Sequence, residues 1–288
     1  MSSEALPPPA YSNGPRLNPQ IRQAIDQDAE TISTIRTHYA TKTVAILSDV
    51  GQDIQAVKKA MHYFQVDCKL PYLVATVPLP QLSADDRIKA ENSAANGATE
   101  TSHPLSTAAE DFPLSKEESR AGERIVGFIV VQPHQLASGL QAYWRTAECI
   151  VLVAPKYLNR GIGRDLIETA ARDLENTVWV PPQARKLDLH TAIESSSPRW
   201  LELLAVVAYR RPSKAAATGD GKMQGEIERQ HEDQQRRIWE GLKFRERGKL
   251  TNVAQKHGEM LDVWYFQRHL RSNSSVAGGD GGGTKKKG

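Results

Sequence analysis

The chain is poor in cysteine and aromatic residues, carries almost no excess of one charge, and has no long apolar run. Its two cysteines, Cys68 and Cys149, cannot form a disulfide framework. Both sit in apolar surroundings, where a free thiol acts as a small hydrophobe, as expected of a reducing compartment. A net charge of +3, from 37 basic and 34 acidic residues, is too small to draw the chain to nucleic acid or to a membrane surface. No stretch approaches the roughly 20 apolar residues that span a bilayer, and the opening MSSEALPPPAYSNG has no apolar core of signal-peptide length. A cytoplasmic location is expected, with a nuclear alternative resting on the three lysines near the C-terminus. What remains is 39% hydrophobic and 25% charged, the balance of a soluble globular protein.

Low-complexity stretches leave enough ordered chain for about one core. Residues 1–17, rich in Pro and Ser, and residues 272–288 (SNSSVAGGDGGGTKKKG) are expected to be a disordered and a flexible tail. Between them, 18–271 reads as a single domain interrupted by polar, aperiodic insertions at about 78–122, 176–199 and 210–224. Strands are expected over 20–25, 70–75, 124–132, 149–154, 203–209, 244–250 and 261–269. The second and third should form a hairpin across the first insertion. Helices are expected over 28–40, over 52–64 with Ile54, Val57, Ala60 and Met61 inward, over 161–175, and over 225–241, whose charge run reads as a solvated face.

The stretch 143–164, YWRTAECIVLVAPKYLNRGIGR, organises the rest. Residues 149–154 (CIVLVA) form a continuous β-branched run, the pattern of a strand buried on both faces, and Pro155 ends it. After Gly161-Ile162-Gly163, the apolar residues Leu166, Ile167, Ala170, Ala171 and Leu174 recur at helical spacing. Glycines at the start of such a helix let a ligand approach backbone N–H groups that no intrahelical carbonyl satisfies, where the helix dipole adds positive charge; a pyrophosphate fits this pattern.

V-x-P-x-x-x-x-R-G-I-G-R-x-L, from Val153 to Leu166, resembles the acetyl-coenzyme A loop of the GNAT acetyltransferases. Ala142-Tyr143, Thr146-Ala147-Glu148 and Val151-x-Val153 resemble the strand before it in the phosphinothricin acetyltransferase branch. Residues 239–270, with Lys256-His257-Gly258 and Asp262-Val263, are similar to that branch's closing segment. The resemblance covers roughly 20–78, 122–176 and 200–271. It implies an α/β fold with a mixed, mostly antiparallel central sheet, helices on both faces, and splayed central strands forming an acetyl-CoA slot.

The same resemblance implies an acetyl-CoA-dependent N-acetyltransferase, with no metal, acting on the primary amine of a small molecule of the amino-acid-like kind. Its partners would be that amine, with a homodimer admissible and neither nucleic acid nor membrane required. Glu148 stands where the branch has its general base. Val151, Leu152 and Val153 would line the pantetheine arm; Asn159, Arg160, Gly161, Ile162, Gly163 and Arg164 would hold the pyrophosphate; Tyr143 and Arg145 would face the acceptor. Three departures stand out. Leu158 occupies the Gln/Arg place of the loop and cannot donate to phosphate. Trp239 occupies the place of a His or Tyr acid, which leaves His257, Tyr265 and His190 as candidates for that role. Thr41 and Thr43 lack the aromatic neighbour usual at the acceptor pocket. The alternative function is a coenzyme-binding sensor or scaffold of the same fold with little catalysis.

Overall fold

The computed structural model describes residues 15–78, 122–134, 145–177, 201–210 and 232–270. Most of the three expected insertions, the C-terminal tail and most of the N-terminal tail lie outside these residues, as do Tyr143, His190 and the first part of the charged helix.

Seven strands form one sheet: β1 (Gln20–Gln23), β2 (Tyr72–Pro78), β3 (Glu123–Pro133), β4 (Thr146–Val153), β5 (Glu202–Arg210), β6 (Arg245–Lys256) and β7 (Glu259–His269). Their spatial order is β1-β2-β3-β4-β5-β7-β6. Every neighbouring pair is antiparallel except β4 and β5. The expected β2–β3 hairpin is present, with a one-residue bulge where Ala75 faces Gly127 but Thr76 faces Ile125. β4 begins three residues earlier than its apolar run suggests, because Thr146, Ala147 and Glu148 are already paired on both sides.

Helices α1 (Ala29–Lys42) and α2 (Ile54–His62) cover one face; α3 (Ile162–Asn176) and α4, over 232–241, cover the other. Residues opposite one another in a ladder share a face, which allows the assignment. Tyr72 and Phe128, which stack at 6.1 Å, are on the face of Leu152, and Arg36 of α1 lies beside Tyr72. On the face of Val153, a Cβ added to Gly127 would meet Ile162 Cγ2 at 3.4 Å, which puts α3 there. Trp239 of α4 stacks on Phe266, which is in register with Ala205 and Cys149 on that same face.

Local chemistry explains these elements. Asp53 caps α2 by accepting the Ala56 N–H at 2.7 Å. Asp28, before α1, instead accepts both arms of Arg22 (2.7 and 3.0 Å) and the Ile25 N–H (2.8 Å), which fixes the turn out of β1. The apolar stripe of α3 is fully buried, and so are Val57 and Met61 of α2; Ile54 is 39% exposed because it lies in the first turn. Two cations, the buried Arg268 and the half-buried Lys249, tie the helices to the far half of the sheet. Arg268 reaches Glu168 of α3 (3.1 Å) and the Leu242 carbonyl (3.2 Å), and Lys249 lies over the Trp264 ring (5.1 Å) while pairing with Asp262 and Glu232. On the opposite face, Lys256 donates to the carbonyls of Ile46 (2.7 Å) and Tyr39 (3.4 Å); burial pushes its pKa below the usual lysine value.

Gly127 is where β3, β4 and α3 come closest. An added Cβ would lie 2.9 Å from the Leu152 carbonyl oxygen and 3.2 Å from Val153 Cα, both backbone atoms that cannot swing aside. Gly127→Ala should therefore destabilise the protein by about 1–3 kcal/mol, the usual cost of overpacking, seen as a lower urea midpoint at unchanged slope. An unchanged midpoint would mean that β4 is free to shift.

Candidate active site

The site follows from where β4 and β5 stop pairing. Their parallel ladder joins Thr146–Cys149 to Glu202–Ala205 and then ends, although β4 runs on to Val153 and β5 to Arg210. Backbone polarity along β4 alternates. The N–H of Ala154 bonds to the Val126 carbonyl (2.9 Å) and the N–H of His134 to the Thr146 carbonyl (3.0 Å). Even-numbered residues of β4 thus direct their backbone groups to β3, and Ala147, Cys149, Val151 and Val153 direct theirs towards β5. Beyond Cys149 that side is an opening. Val151 and Val153 present backbone groups to it, whereas Leu152 is turned towards Phe128 of β3. The Val153 carbonyl already accepts the buried Tyr39 hydroxyl at 2.6 Å.

The opening leads to the glycine turn. After β4 a short 3₁₀ turn, Pro155–Tyr157, leads to Leu158, which packs against the core, and to Asn159 at φ 61°. Gly161 caps α3 at φ 87°, in the left-handed region where a side chain is strained. Gly163 is under no such demand, since an added Cβ would make only an ordinary 3.7 Å contact with Val153. Ile162 is buried, and the Arg160 guanidinium lies 5.8 Å from the centre of the Tyr157 ring. Arg164 is exposed and lines an open cleft of about 590 Å³ with Asp233, Gln234, Arg237 and Ile238 of α4. The N-terminal segment lies across the turn. Leu17 N–H bonds to the Arg160 carbonyl (3.1 Å), and Arg16, beside Gly161, pairs with Asp165 at 2.9 Å.

Glu148 is one residue short of the parting, opposite Gln132 on β3 and Leu204 on β5, on the α1–α2 face. It pairs with His134, with Nδ1 3.2 Å from Oε2. Arg145 immediately precedes β4, and its carbonyl accepts the Leu201 N–H at 3.0 Å. Cys149 points to the α3–α4 face. Burial, then the neighbouring Glu148 carboxylate, push its thiol up to about 12, so it stays protonated and is no nucleophile. Trp239 is 9% exposed, stacked on Phe266 at 5.6 Å and edge-on to Phe244 at 5.1 Å, which makes it a packing residue. Of the substitutes for an acid, His257 is exposed at the β6–β7 turn, and Tyr265 is opposite Val206, just past the parting, on the Glu148 face. No group of side chains suited to a metal ion occurs among the described residues.

Sequence reasoning missed His134, Tyr39 and Arg16. His134 follows a strand as an ordinary Gln-Pro-His end; its partner is named only by the β3–β4 register. Tyr39 read as one residue of an amphipathic helix face, and Arg16 lay in a segment assigned to the tail.

Comparison with known proteins agrees with this architecture. The Acetyltransferase (GNAT) family profile matches residues 85–193, a span that contains β3, β4, the glycine turn and α3. The Salmonella typhimurium acetyltransferase yncA, solved with its cofactor acetyl-CoA, superposes with a TM-score of 0.51 at 16% identity, covering 91% of this chain and 100% of that one. A GNAT superfamily phosphinothricin acetyltransferase from Sinorhizobium meliloti, in complex with acetyl-CoA, gives 0.50 at 15% identity, covering 92% and 95%. No curated protein matches the sequence. Residues 85–193 thus match the GNAT acetyltransferase family, and the described residues take the fold of these two neighbours, one of them a phosphinothricin acetyltransferase.

With Gly161 as the cap of α3, Gly161→Glu should cost about 1–2 kcal/mol of backbone strain and set a carboxylate at the N-terminus of that helix. The variant should fold and show no rise in melting temperature with acetyl-CoA. The parent should gain about 2.7 kcal/mol at a hundredfold excess over Kd. Equal stabilisation of both would place the phosphates elsewhere.

Proposed function

We propose that the protein is an acetyl-CoA-dependent N-acetyltransferase that acetylates the primary amine of a small, amino-acid-like molecule, with Glu148 as general base. The observation that carries this reading is the parting of β4 and β5 one residue beyond Glu148, with a left-handed glycine turn at the helix that follows. The chain's groups fit acetyl-CoA. Val151 offers unladdered backbone to an extended pantetheine arm, as a missing strand would. The N-terminus of α3 offers N–H groups to a pyrophosphate, with Arg160, Arg164 and Asn159 around it. When bound, acetyl-CoA supplies the acetyl group as a thioester.

The two faces of the sheet divide the work. α3, α4 and the glycine turn flank the opening on one side; Glu148 looks out on the other, where α1 and α2 would bound the acceptor, with Arg145 nearby. An amine at neutral pH is mostly ammonium and must lose a proton to attack. Glu148 takes that proton, and the Val151 N–H is available to polarise the carbonyl oxygen as the C–N bond forms and the C–S bond breaks. The protonated Cys149 leaves direct transfer as the route. Trp239 offers no titratable proton to the leaving thiolate, so water or Tyr265 fills that part.

Glu148→Gln should lower turnover of an accepted amine by about 10²-fold or more while acetyl-CoA affinity stays within a few-fold. Release of coenzyme thiol across a panel of amines measures the first, and calorimetry the second. Full activity in Glu148→Gln would remove the base assignment. Tight acetyl-CoA binding with no turnover of any amine by the parent protein would favour the sensor or scaffold function.

A further inference from the structure

Resting on the reading of Glu148 as the base, we propose that His134 is a positioning residue. Its ring N–H holds one oxygen of Glu148, so that the other is presented to the acceptor amine.

The geometry is specific to this corner of the sheet. His134 Nδ1 is 3.2 Å from Glu148 Oε2, and the two side chains are only 14% and 20% exposed. The backbone holds them in register. The His134 N–H bonds to the Thr146 carbonyl, Gln132 is directly opposite Glu148, and His134, just past the end of β3 and two residues after Gln132, falls on the Glu148 face as its diagonal neighbour. Pro133 fits between them because its nitrogen points to the β2 side, past the last β2 contact at Pro71, where no ladder bond is lost.

A glutamate carries three rotatable side-chain bonds, and at the margin of an opening it samples several positions. A base is effective only when held within hydrogen-bond reach of the proton it takes. Hydrogen-bonding Oε2 from a residue whose own N–H is fixed to β4 removes most of that freedom and leaves Oε1 outside the bond. Among the described residues, His134 is the ion-pair partner of Glu148. For the hold to operate, the proton between them sits on Nδ1, with the carboxylate as acceptor.

The test uses the full chain with His134→Leu, which removes the donor, and His134→Asn, which keeps an N–H donor close to the Nδ1 position. For an accepted amine, His134→Leu should lower kcat about tenfold or more, with the dissociation constant of acetyl-CoA and the melting temperature near those of the parent. His134→Asn should recover kcat to within a few-fold. In a Glu148→Gln background, His134→Leu should cause no further loss, because there is no longer a carboxylate to orient. Should the leucine variant not fold, His134→Phe, a ring without a donor, takes its place in the same comparison. Unchanged kcat in the donor-free variant while Glu148→Gln is crippled would overturn the positioning role and leave the base intact. The same loss with and without Glu148 would also overturn it. Full activity in Glu148→Gln would instead remove the base, and this inference with it.

Discussion

The structure depends on a seam that is too short. β4 is bonded to β3 from Ala147 to Val153, and β5 to β7 along its whole length, but only four residue pairs join β4 to β5. Beyond Cys149 each half of the sheet is thus paired without the other. The backbone groups past that point belong to strands whose other edges are already paired. A buried backbone group without a partner costs about 1–3 kcal/mol, so the parting persists only where something other than a strand meets those groups. Tyr39 does this for the Val153 carbonyl.

The rest of the molecule reads as a frame around that parting. α3 and α4 are tied to the β5–β7 half through Arg268 and Lys249, although α3 begins at the end of β4. α1 is tied to the same half by Lys256, whose ammonium caps carbonyls at the end of α1 and in the loop after it. The two halves of the sheet are therefore bridged over both faces rather than across the gap. That leaves the gap open and its width set by packed helices.

Much of this was legible in the chain. A β-branched run ended by proline, glycines, and then a 3.6-residue apolar period specify a strand, a turn and a helix whatever surrounds them, and each formed where expected. Gly161 was legible for a physical reason, since its left-handed φ excludes most side chains; its neighbour Gly163 looked equivalent and is not. Thr146-Ala147-Glu148 lacked the apolar signature of a strand because its place is fixed by partners on both sides and not by its own composition. The His134–Glu148 pair was hidden because it depends on the register between β3 and β4, which a single sequence does not encode locally. Trp239 illustrates the opposite limit: resemblance suggested a place for it beside the chemistry, and only its packing against Phe244 and Phe266 shows what the indole does.

Both cysteines of the chain are buried, Cys68 completely and Cys149 at 5% exposure. A maleimide or an aromatic disulfide reagent in solution thus meets no protein thiol while the fold is intact. Colorimetric detection of liberated coenzyme thiol runs against a nearly blank background. Conversely, the rate at which the two sulfurs become labelled in the absence of substrate counts the excursions of the sheet and its flanking helices out of the native state, a built-in clock for opening that needs no engineered probe.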